Sequence, residues 1–220
     1  MRKLFLVFVF LLITLPVFAQ IEAGQQMLDI RGSLGFQLNN SGIIYSNLGD
    51  RADWGTLGAE IGLSYYYFIT EYFGFGADIS YGDFDGGGDL SFSSSNKIDD
   101  KTKLYNLQLV GRLNIAPQNR VRLYIPFGFG LTVSTQDLFV KYSGVQFDNK
   151  KTYLSPALFV GAGLEFDVGQ NGWAWGFETR YNTFWYDTEK LIKNAPATFS
   201  GDGNRRYEYI TLQIHVSKKF

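Results

Sequence analysis

The chain ends in Ile210-Thr-Leu-Gln-Ile-His-Val-Ser-Lys-Lys-Phe220, where apolar and polar residues alternate. Apolar side chains occupy positions 210, 212, 214 and 216, and polar side chains occupy 211, 213, 215, 217 and 219. Successive side chains of a β-strand point to opposite faces, so a period of two indicates a strand. The last segment therefore predicts a strand with one apolar face and one polar face.

The other end of the chain has the pattern of a secretory signal peptide. Arg2 and Lys3 precede an apolar run over residues 4–18, and Val17-Phe18-Ala19 matches a small-residue cleavage site. The run is too short for a membrane-spanning helix, which needs about 20 residues. We therefore expect a cleaved signal peptide at residues 1–19, with an uncleaved N-terminal anchor as the alternative.

The expected mature domain, residues 20–220, is mildly acidic and rich in aromatic residues and glycine. Loss of two of the 20 basic residues leaves 18 against 21 acidic residues, a formal charge of −3. This balance argues against nucleic acid as a partner, because nucleic-acid-binding proteins usually present a basic face. The chain has no cysteine, which excludes disulfides and a lipid-modified cysteine. The length suits one all-β domain.

Eight segments of the mature chain alternate between apolar and polar residues. They are residues 28–38, 57–68, 73–82, 105–114, 123–133, 158–167, 173–182 and 210–220. Each is about ten residues long, the length of a tilted strand that crosses a bilayer. Three of the connections are short. Four are expected to be long polar loops, at about residues 39–56, 83–104, 134–153 and 184–206.

These features predict an all-β fold, an eight-stranded antiparallel transmembrane up-and-down β-barrel. The alternative is a secreted soluble barrel, whose apolar face would point inward. Here the non-apolar face collects small residues that suit the narrow bore of an eight-stranded barrel. They are Gly35, Gly58, Gly62, Gly74, Gly76, Gly82, Gly128, Gly130, Gly161, Gly163 and Gly176. The apolar face would aggregate in water but suits lipid.

Aromatic residues lie near both ends of the predicted strands. Beside the short turns they are Tyr65, Tyr67, Phe73, Phe75, Phe166 and Trp173, and at the opposite ends they are Tyr81, Tyr105 and Tyr181. Aromatic girdles mark the two membrane interfaces of outer-membrane barrels. These positions therefore predict two girdles, with cross-strand packing in a soluble sheet as the alternative.

Residues 28–220 resemble the small bacterial outer-membrane β-barrels that include the OmpA transmembrane domain and OmpX. The resemblance rests on the strand count, the alternating connections, glycine-rich strands such as Tyr72-Phe-Gly-Phe-Gly-Ala-Asp-Ile-Ser-Tyr81, and the terminal Phe220. It implies a location in outer-membrane lipid, with the termini in the periplasm and the long loops outside. It also implies that Phe220 belongs to a C-terminal signal for the outer-membrane assembly machinery.

Alternation also predicts which charged side chains face the lumen. They are Asp29, Arg31, Glu60, Asp78, Arg112, Glu165, Glu178 and Arg180. Buried charges must be paired, so we expect Arg112 and Arg180 to pair with carboxylates of this group. The expected result is a lumen charge network that fills the barrel. The alternative is a narrow or gated channel for ions and small solutes, opened by exchange of ion-pair partners.

No motif predicts an enzyme, a metal site or a cofactor. His215 is the single histidine, and alternation turns it inward, which disfavours a role in a lipid-modifying enzyme. Residues 83–89, Asp-Phe-Asp-Gly-Gly-Gly-Asp, resemble the start of a calcium loop. The twelfth position, however, is Ser94 instead of the bidentate Glu that such loops use. A flexible polar loop is the alternative.

The third long loop is less polar than the others. Residues 138–147 predict a short hairpin about Ser143 and Gly144 that extends two strands above the membrane. Its edge could accept a partner by strand addition, or the hairpin could be an ordered cap. We expect a structural and interaction protein whose extracellular loops contact a surface or protein partner.

Overall fold

The computed structural model describes residues 21–38, 43–45, 56–89, 97–142, 145–168, 171–187, 189–190, 193, 199–201 and 204–220. The strands in these ranges are β1 (Gln26–Gln37), β2 (Ile43–Tyr45), β3 (Leu57–Phe68), β4 (Phe73–Asp89), β5 (Lys97–Asn114), β6 (Val121–Tyr142), β7 (Val145–Val168), β8 (Trp173–Asp187), β9 (Phe199–Gly201) and β10 (Asn204–Lys219). The expected signal peptide lies outside the described residues. No helix in the described part of the chain is long and apolar enough to cross a membrane.

Eight of the described strands close into one antiparallel barrel, as predicted. The order around the barrel is β1, β10, β8, β7, β6, β5, β4 and β3, while β2 and β9 form a separate pair. Each barrel strand therefore pairs with the next one along the chain, and the first strand closes on the last. The Phe220 amide donates to the Gln26 carbonyl at 2.9 Å, which brings both ends of the barrel chain together.

The two ends of the barrel differ in their connections. At one end, called here the turn end, the first and last residues of the barrel lie beside the short connections between strands. For example, the Gly24 amide donates a hydrogen bond to the Phe68 carbonyl at 2.7 Å. The opposite end, the loop end, carries the segments between β1 and β3 and between β8 and β10. Part of these segments pairs as β2 and β9, with Ile44 opposite Ser200.

The outside of the barrel is apolar and the inside is polar. Ile61 is 61% exposed, Leu107 60% and Ile214 60%, whereas Arg122 and Glu165 on the inner face are 0% exposed. A water-soluble barrel requires the opposite arrangement, so the soluble alternative is wrong. The outward band of aliphatic side chains is the surface that a lipid solvent requires.

Aromatic side chains lie at both borders of this band. At the loop end, Tyr81 packs on Tyr105 with ring centroids 5.0 Å apart. At the turn end, Trp173 is 48% exposed on the outer face, and Lys218 Nζ lies 5.3 Å from the centre of its ring. Tyr81, Tyr105 and Trp173, three of the predicted girdle positions, thus lie at the two borders of the apolar band, where rings with one apolar side and one polar edge are favoured.

The structure corrects two of the predicted long loops. Residues 83–89 and 97–104 extend β4 and β5, and residues 134–142 and 145–153 extend β6 and β7. The backbone pairing between neighbouring strands continues through the extensions. Asp89 of β4 lies opposite Lys97 of β5, and Lys97 lies opposite Lys141 of β6. Alternation fails to reveal these parts because, beyond the bilayer, water reaches the outer face and apolar residues are no longer required there. The fourth predicted loop is also shorter, since residues 184–187 and 204–206 are strand.

The predicted third-loop hairpin is confirmed. β6 and β7 pair up to Tyr142 opposite Val145, so only Ser143 and Gly144, which lie outside the described residues, separate them. Pairing of β7 with β8 stops much earlier, at Ala157 opposite Phe184. Among the described strands, the outer part of β7 is therefore a sheet edge on its side away from β6.

Candidate functional site

The centre of the lumen holds a cluster of charges around Asp78. Arg31 contacts this carboxylate with both terminal nitrogens, at 2.5 and 2.8 Å, and Ser64 Oγ donates to it at 2.5 Å. Arg180 Nη1 donates to the same carboxylate at 3.2 Å. Asp78 is 1% exposed, so three donors replace its lost hydration. Glu60 lies beside this cluster, 3.6 Å from Arg31 Nη2.

A second cluster surrounds Glu165 nearer the turn end. Arg112 Nη1 donates to Glu165 Oε2 at 2.9 Å, and Arg122 contacts the other oxygen of the same carboxylate. Arg122 Nη2 also donates to Asp167 at 2.5 Å, and Lys219 forms an ion pair with Asp167. Both side chains of the Arg112 pair are at most 1% exposed.

His215 and Tyr124 extend the cluster around Asp78. The Nδ1 atom of His215 lies 2.5 Å from Asp29 Oδ2, and its Nε2 atom lies 3.0 Å from the Tyr124 hydroxyl. Tyr124 donates to Glu178 Oε2 at 2.7 Å, and Glu178 is in turn paired with Arg180. Tyr124 and His215 thus connect Asp29 to Glu178 across the lumen.

The charges of this network nearly balance. Among the described residues of the membrane-spanning lumen, six carboxylates face five basic side chains: Asp29, Glu60, Asp78, Glu165, Asp167 and Glu178 against Arg31, Arg112, Arg122, Arg180 and Lys219. An uncompensated charge is costly at such burial. A protonated His215, whose Nδ1 atom lies 2.5 Å from Asp29, would supply the sixth positive charge.

The structure brings all eight side chains that alternation placed in the lumen into this network. The expected partners of Arg112 and Arg180 are found, namely Glu165 for the first and Glu178 and Asp78 for the second. Arg122, Asp167 and Lys219 were missing from the expectation, although all three share the inward parity of their strands. Arg122 lay just outside the predicted strand at residues 123–133, so its position at a strand end concealed it.

Two apolar clusters pack in the lumen beside the charges. The turn-end plug consists of Ile21, Met27, Tyr66, Phe68, Val110 and Phe159. The loop-end plug consists of Phe84, Leu104, Ala157, Phe184, Tyr186, Tyr207 and Tyr209. Val110 departs from the alternation of its strand because it belongs to the first plug. The two plugs and the ionic network together fill the lumen.

Glycines make room for the loop-end plug. The ring of Phe84 lies against the backbone of β1 and β3, and a Cβ atom on Gly35 or Gly58 would come within 2.5 Å of this ring. Such an approach is far inside van der Waals contact, so these positions need a residue without a side chain. The inward glycines therefore serve to pack particular large residues.

The calcium-loop hypothesis for residues 83–89 is wrong. A calcium loop must curl so that its oxygens converge, whereas these residues extend β4 and pair with β5 up to Asp89 opposite Lys97. Asp85 instead forms an exposed ion pair with Lys101 at 3.5 Å. In the part of the chain that the structure describes, no group of three or more His, Cys, Asp or Glu residues could hold a metal ion.

One acid of the extension beyond the membrane has a buried carboxylate oxygen. Asp100 faces inward from β5, and its Oδ1 atom is buried without a hydrogen-bond partner among the described residues. Burial, followed by the nearby charges of Asp137 and Asp85, raises the pKa of this carboxyl to about 7. The extension therefore contains a group that titrates near neutral pH.

Comparison with known proteins agrees with this architecture. The sequence profile of a family described as "Outer membrane protein beta-barrel domain" matches residues 5–220. Among proteins with curated functions, none matches the sequence. The chain is similar to the solved structure of Neisserial surface protein A, with 15% identity, a TM-score of 0.48, and coverage of 90% of this chain and 99% of that one.

Two further solved structures show comparable similarity. OprG from Pseudomonas aeruginosa has 13% identity and a TM-score of 0.48, with coverage of 93% of this chain and 99% of that chain. Ail, the attachment invasion locus protein of Yersinia pestis, has 15% identity and a TM-score of 0.43, with coverage of 90% and 99%.

Proposed function

Because the chain belongs to the family of outer-membrane β-barrel domains, we propose that it is a closed anchor that displays an extracellular sheet and loops to a surface or protein partner. The observation that carries this proposal is the filled lumen. Two apolar plugs and a paired ionic network fill the lumen, so the barrel interior contributes stability and register instead of a conduction path. The exposed parts of the loop end are then where function resides.

The displayed surface is a sheet formed by the outer parts of β4, β5, β6 and β7. Beyond Val133, where the aliphatic outward band of β6 ends, the strand continues for about 30 Å at roughly 3.4 Å per residue. Its outer face carries exposed ion pairs such as Lys150 with Asp137 at 3.7 Å. This polar composition supports a position in water outside the membrane, with the turn end in the periplasm.

The outer edge of β7 offers one place for a partner. Among the described strands, none pairs with residues 145–150 on the side away from β6, and an extended segment could pair there. Lys150 lies on this edge, and lysine is a residue that limits unselective pairing. Such an edge would accept a partner of matched sequence while resisting self-association.

Export and assembly complete the proposal. Residues 1–19 would be removed as a signal peptide, and the C-terminal strand with Phe220 would be read by the outer-membrane assembly machinery. Enzymatic activity is no part of the proposal, since the partners of His215 are Asp29 and Tyr124 inside a closed lumen.

A single-channel recording tests whether the barrel is closed. Residues 20–220 refolded into a planar bilayer should give no discrete current steps, with folding checked by heat-modifiable migration on a gel. The display role is tested by replacing residues 137–150 with an Asn-Gly turn. Cells that produce this shortened protein should no longer bind a surface to which cells with the full-length protein bind. Retention of that binding by the shortened protein would contradict a role for the hairpin.

The second candidate function is a narrow or gated channel. Several buried polar atoms in the lumen have no protein partner among the described residues, including Arg31 Nε, Arg112 Nη2 and Gln213 Oε1. Water that satisfies these atoms could form a path if the plugs moved. Current steps whose size changes in Arg112→Gln would establish the channel and overturn the closed anchor.

A further inference from the structure

The wall of the barrel contains a slot where β8 separates from β7. Above Ala157 and Phe184 the two strands no longer form a ladder, and side chains bridge them instead. The Tyr153 hydroxyl donates to the Asp187 carbonyl at 2.9 Å, and Ser155 bonds the Trp185 carbonyl. A cavity of about 530 Å³ remains between the strands.

The slot straddles the border between the apolar band and the polar extension. Leu154, 69% exposed, and Trp185, 37% exposed, are the last apolar outward residues of their strands. The next outward residues toward the loop end are Thr152 and Asp187. The lower part of the slot therefore faces hydrocarbon, while its upper part lies at the level of lipid headgroups.

The upper part of the slot is positively charged. Lys151 lines it, and no acidic side chain in the described ranges pairs with Lys151. Lys190 also lines it and lies 3.2 Å from Asp187. Two ammonium groups thus face one carboxylate, which leaves a net positive charge beside an apolar wall.

We propose that this slot binds a phosphorylated lipid of the outer leaflet, with its phosphate at Lys151 and Lys190 and an acyl chain along Leu154 and Trp185. Lysine is a common phosphate ligand, and basic pockets between membrane-spanning elements bind phosphorylated headgroups. A soluble anion would not use the exposed apolar wall, so the lipid accounts for both halves of the slot. The site depends on the membrane location alone, and its failure would leave the display proposal standing.

Binding is measured by native mass spectrometry of the refolded barrel in a neutral detergent. The probes are bisphosphorylated lipid A, the same lipid without phosphates, and inorganic phosphate. We expect one phosphorylated lipid to remain bound, with affinity about tenfold lower in Lys151→Gln and in Lys190→Gln, the loss expected for one charge-assisted contact. Lys103→Gln is the matched control, because Lys103 lies just beyond Tyr105 at the same border but on β5.

Three results would overturn the site. Equal retention of the dephosphorylated lipid would show that the charges play no part. An equal loss in Lys103→Gln would reduce the effect to general surface charge. Displacement of the lipid by inorganic phosphate at equal concentration would show that the slot recognises a free anion instead of a lipid.

Discussion

His215 Nδ1 lies 2.5 Å from Asp29 Oδ2, and this contact joins neighbouring strands β10 and β1 where the barrel closes. The two residues are 2% and 6% exposed, so each depends on the other for compensation of its charge. The closure of the sheet is therefore reinforced by a side-chain contact as well as by the backbone ladder.

Loss of this contact should destabilise the barrel. His215→Gln leaves Asp29 buried without its partner, and removing one member of a buried pair costs about 3–5 kcal/mol. Adding Asp29→Asn should restore much of the loss, because no uncompensated carboxylate then remains. Urea unfolding in lipid vesicles measures both variants. A His215→Gln protein as stable as wild type would contradict the pairing.

The Arg112 and Glu165 pair should show strong energetic coupling. Both side chains are at most 1% exposed, and their atoms lie 2.9 Å apart. In a double-mutant cycle with Arg112→Gln and Glu165→Gln, we expect coupling above about 1 kcal/mol in the free energy of unfolding. The control cycle uses Lys101→Gln and Asp85→Asn, an exposed pair for which coupling near zero is expected. Equal coupling in both cycles would argue against a buried network.

The Phe84 ring should make Gly58 intolerant of a side chain. A Cβ at this position would lie 2.5 Å from ring carbons, so Gly58→Ala should cost about 1–3 kcal/mol through overpacking. Phe84→Leu in the same chain should recover part of the loss. Gly32→Ala is the control, since a Cβ atom added there on the outer face would meet nothing within 4 Å. The unfolding midpoint in urea reports each variant, and a neutral Gly58→Ala would show that the ring has room to move.

Asp100 should make the extension less stable as the pH rises. Its pKa is raised to about 7, chiefly by burial, so the unfolded chain loses this proton at lower pH than the folded one. The folded state is then penalised increasingly from about pH 4 to about pH 7, and the penalty is constant above that. Asp100→Asn should therefore be more stable than wild type by about 1–3 kcal/mol at pH 8 and no more stable at pH 4. A difference that does not change between these two pH values would exclude titration of Asp100 as its cause.

Local pattern was sufficient for the fold of this chain. The alternation at residues 210–216 and in seven other segments predicted the strands, their inward and outward faces and the barrel itself, because side-chain direction in a strand depends only on sequence parity. The same parity placed Arg112 and Glu165 in the lumen. It failed for the extensions of β4 and β5, where the outer face lies in water and no apolar outer face marks the strand.

The sequence by itself determined which side chains face lipid and which face the lumen, since each strand carries that information in its own residues. Only the tertiary structure decided that Arg112 of β5 meets Glu165 of β7, that Phe84 rests on Gly35 and Gly58, and that β8 leaves β7 at Ala157. These contacts depend on the position of each inward residue along the barrel axis. That position follows from the register and tilt of all the strands in the closed barrel, and no single strand encodes it.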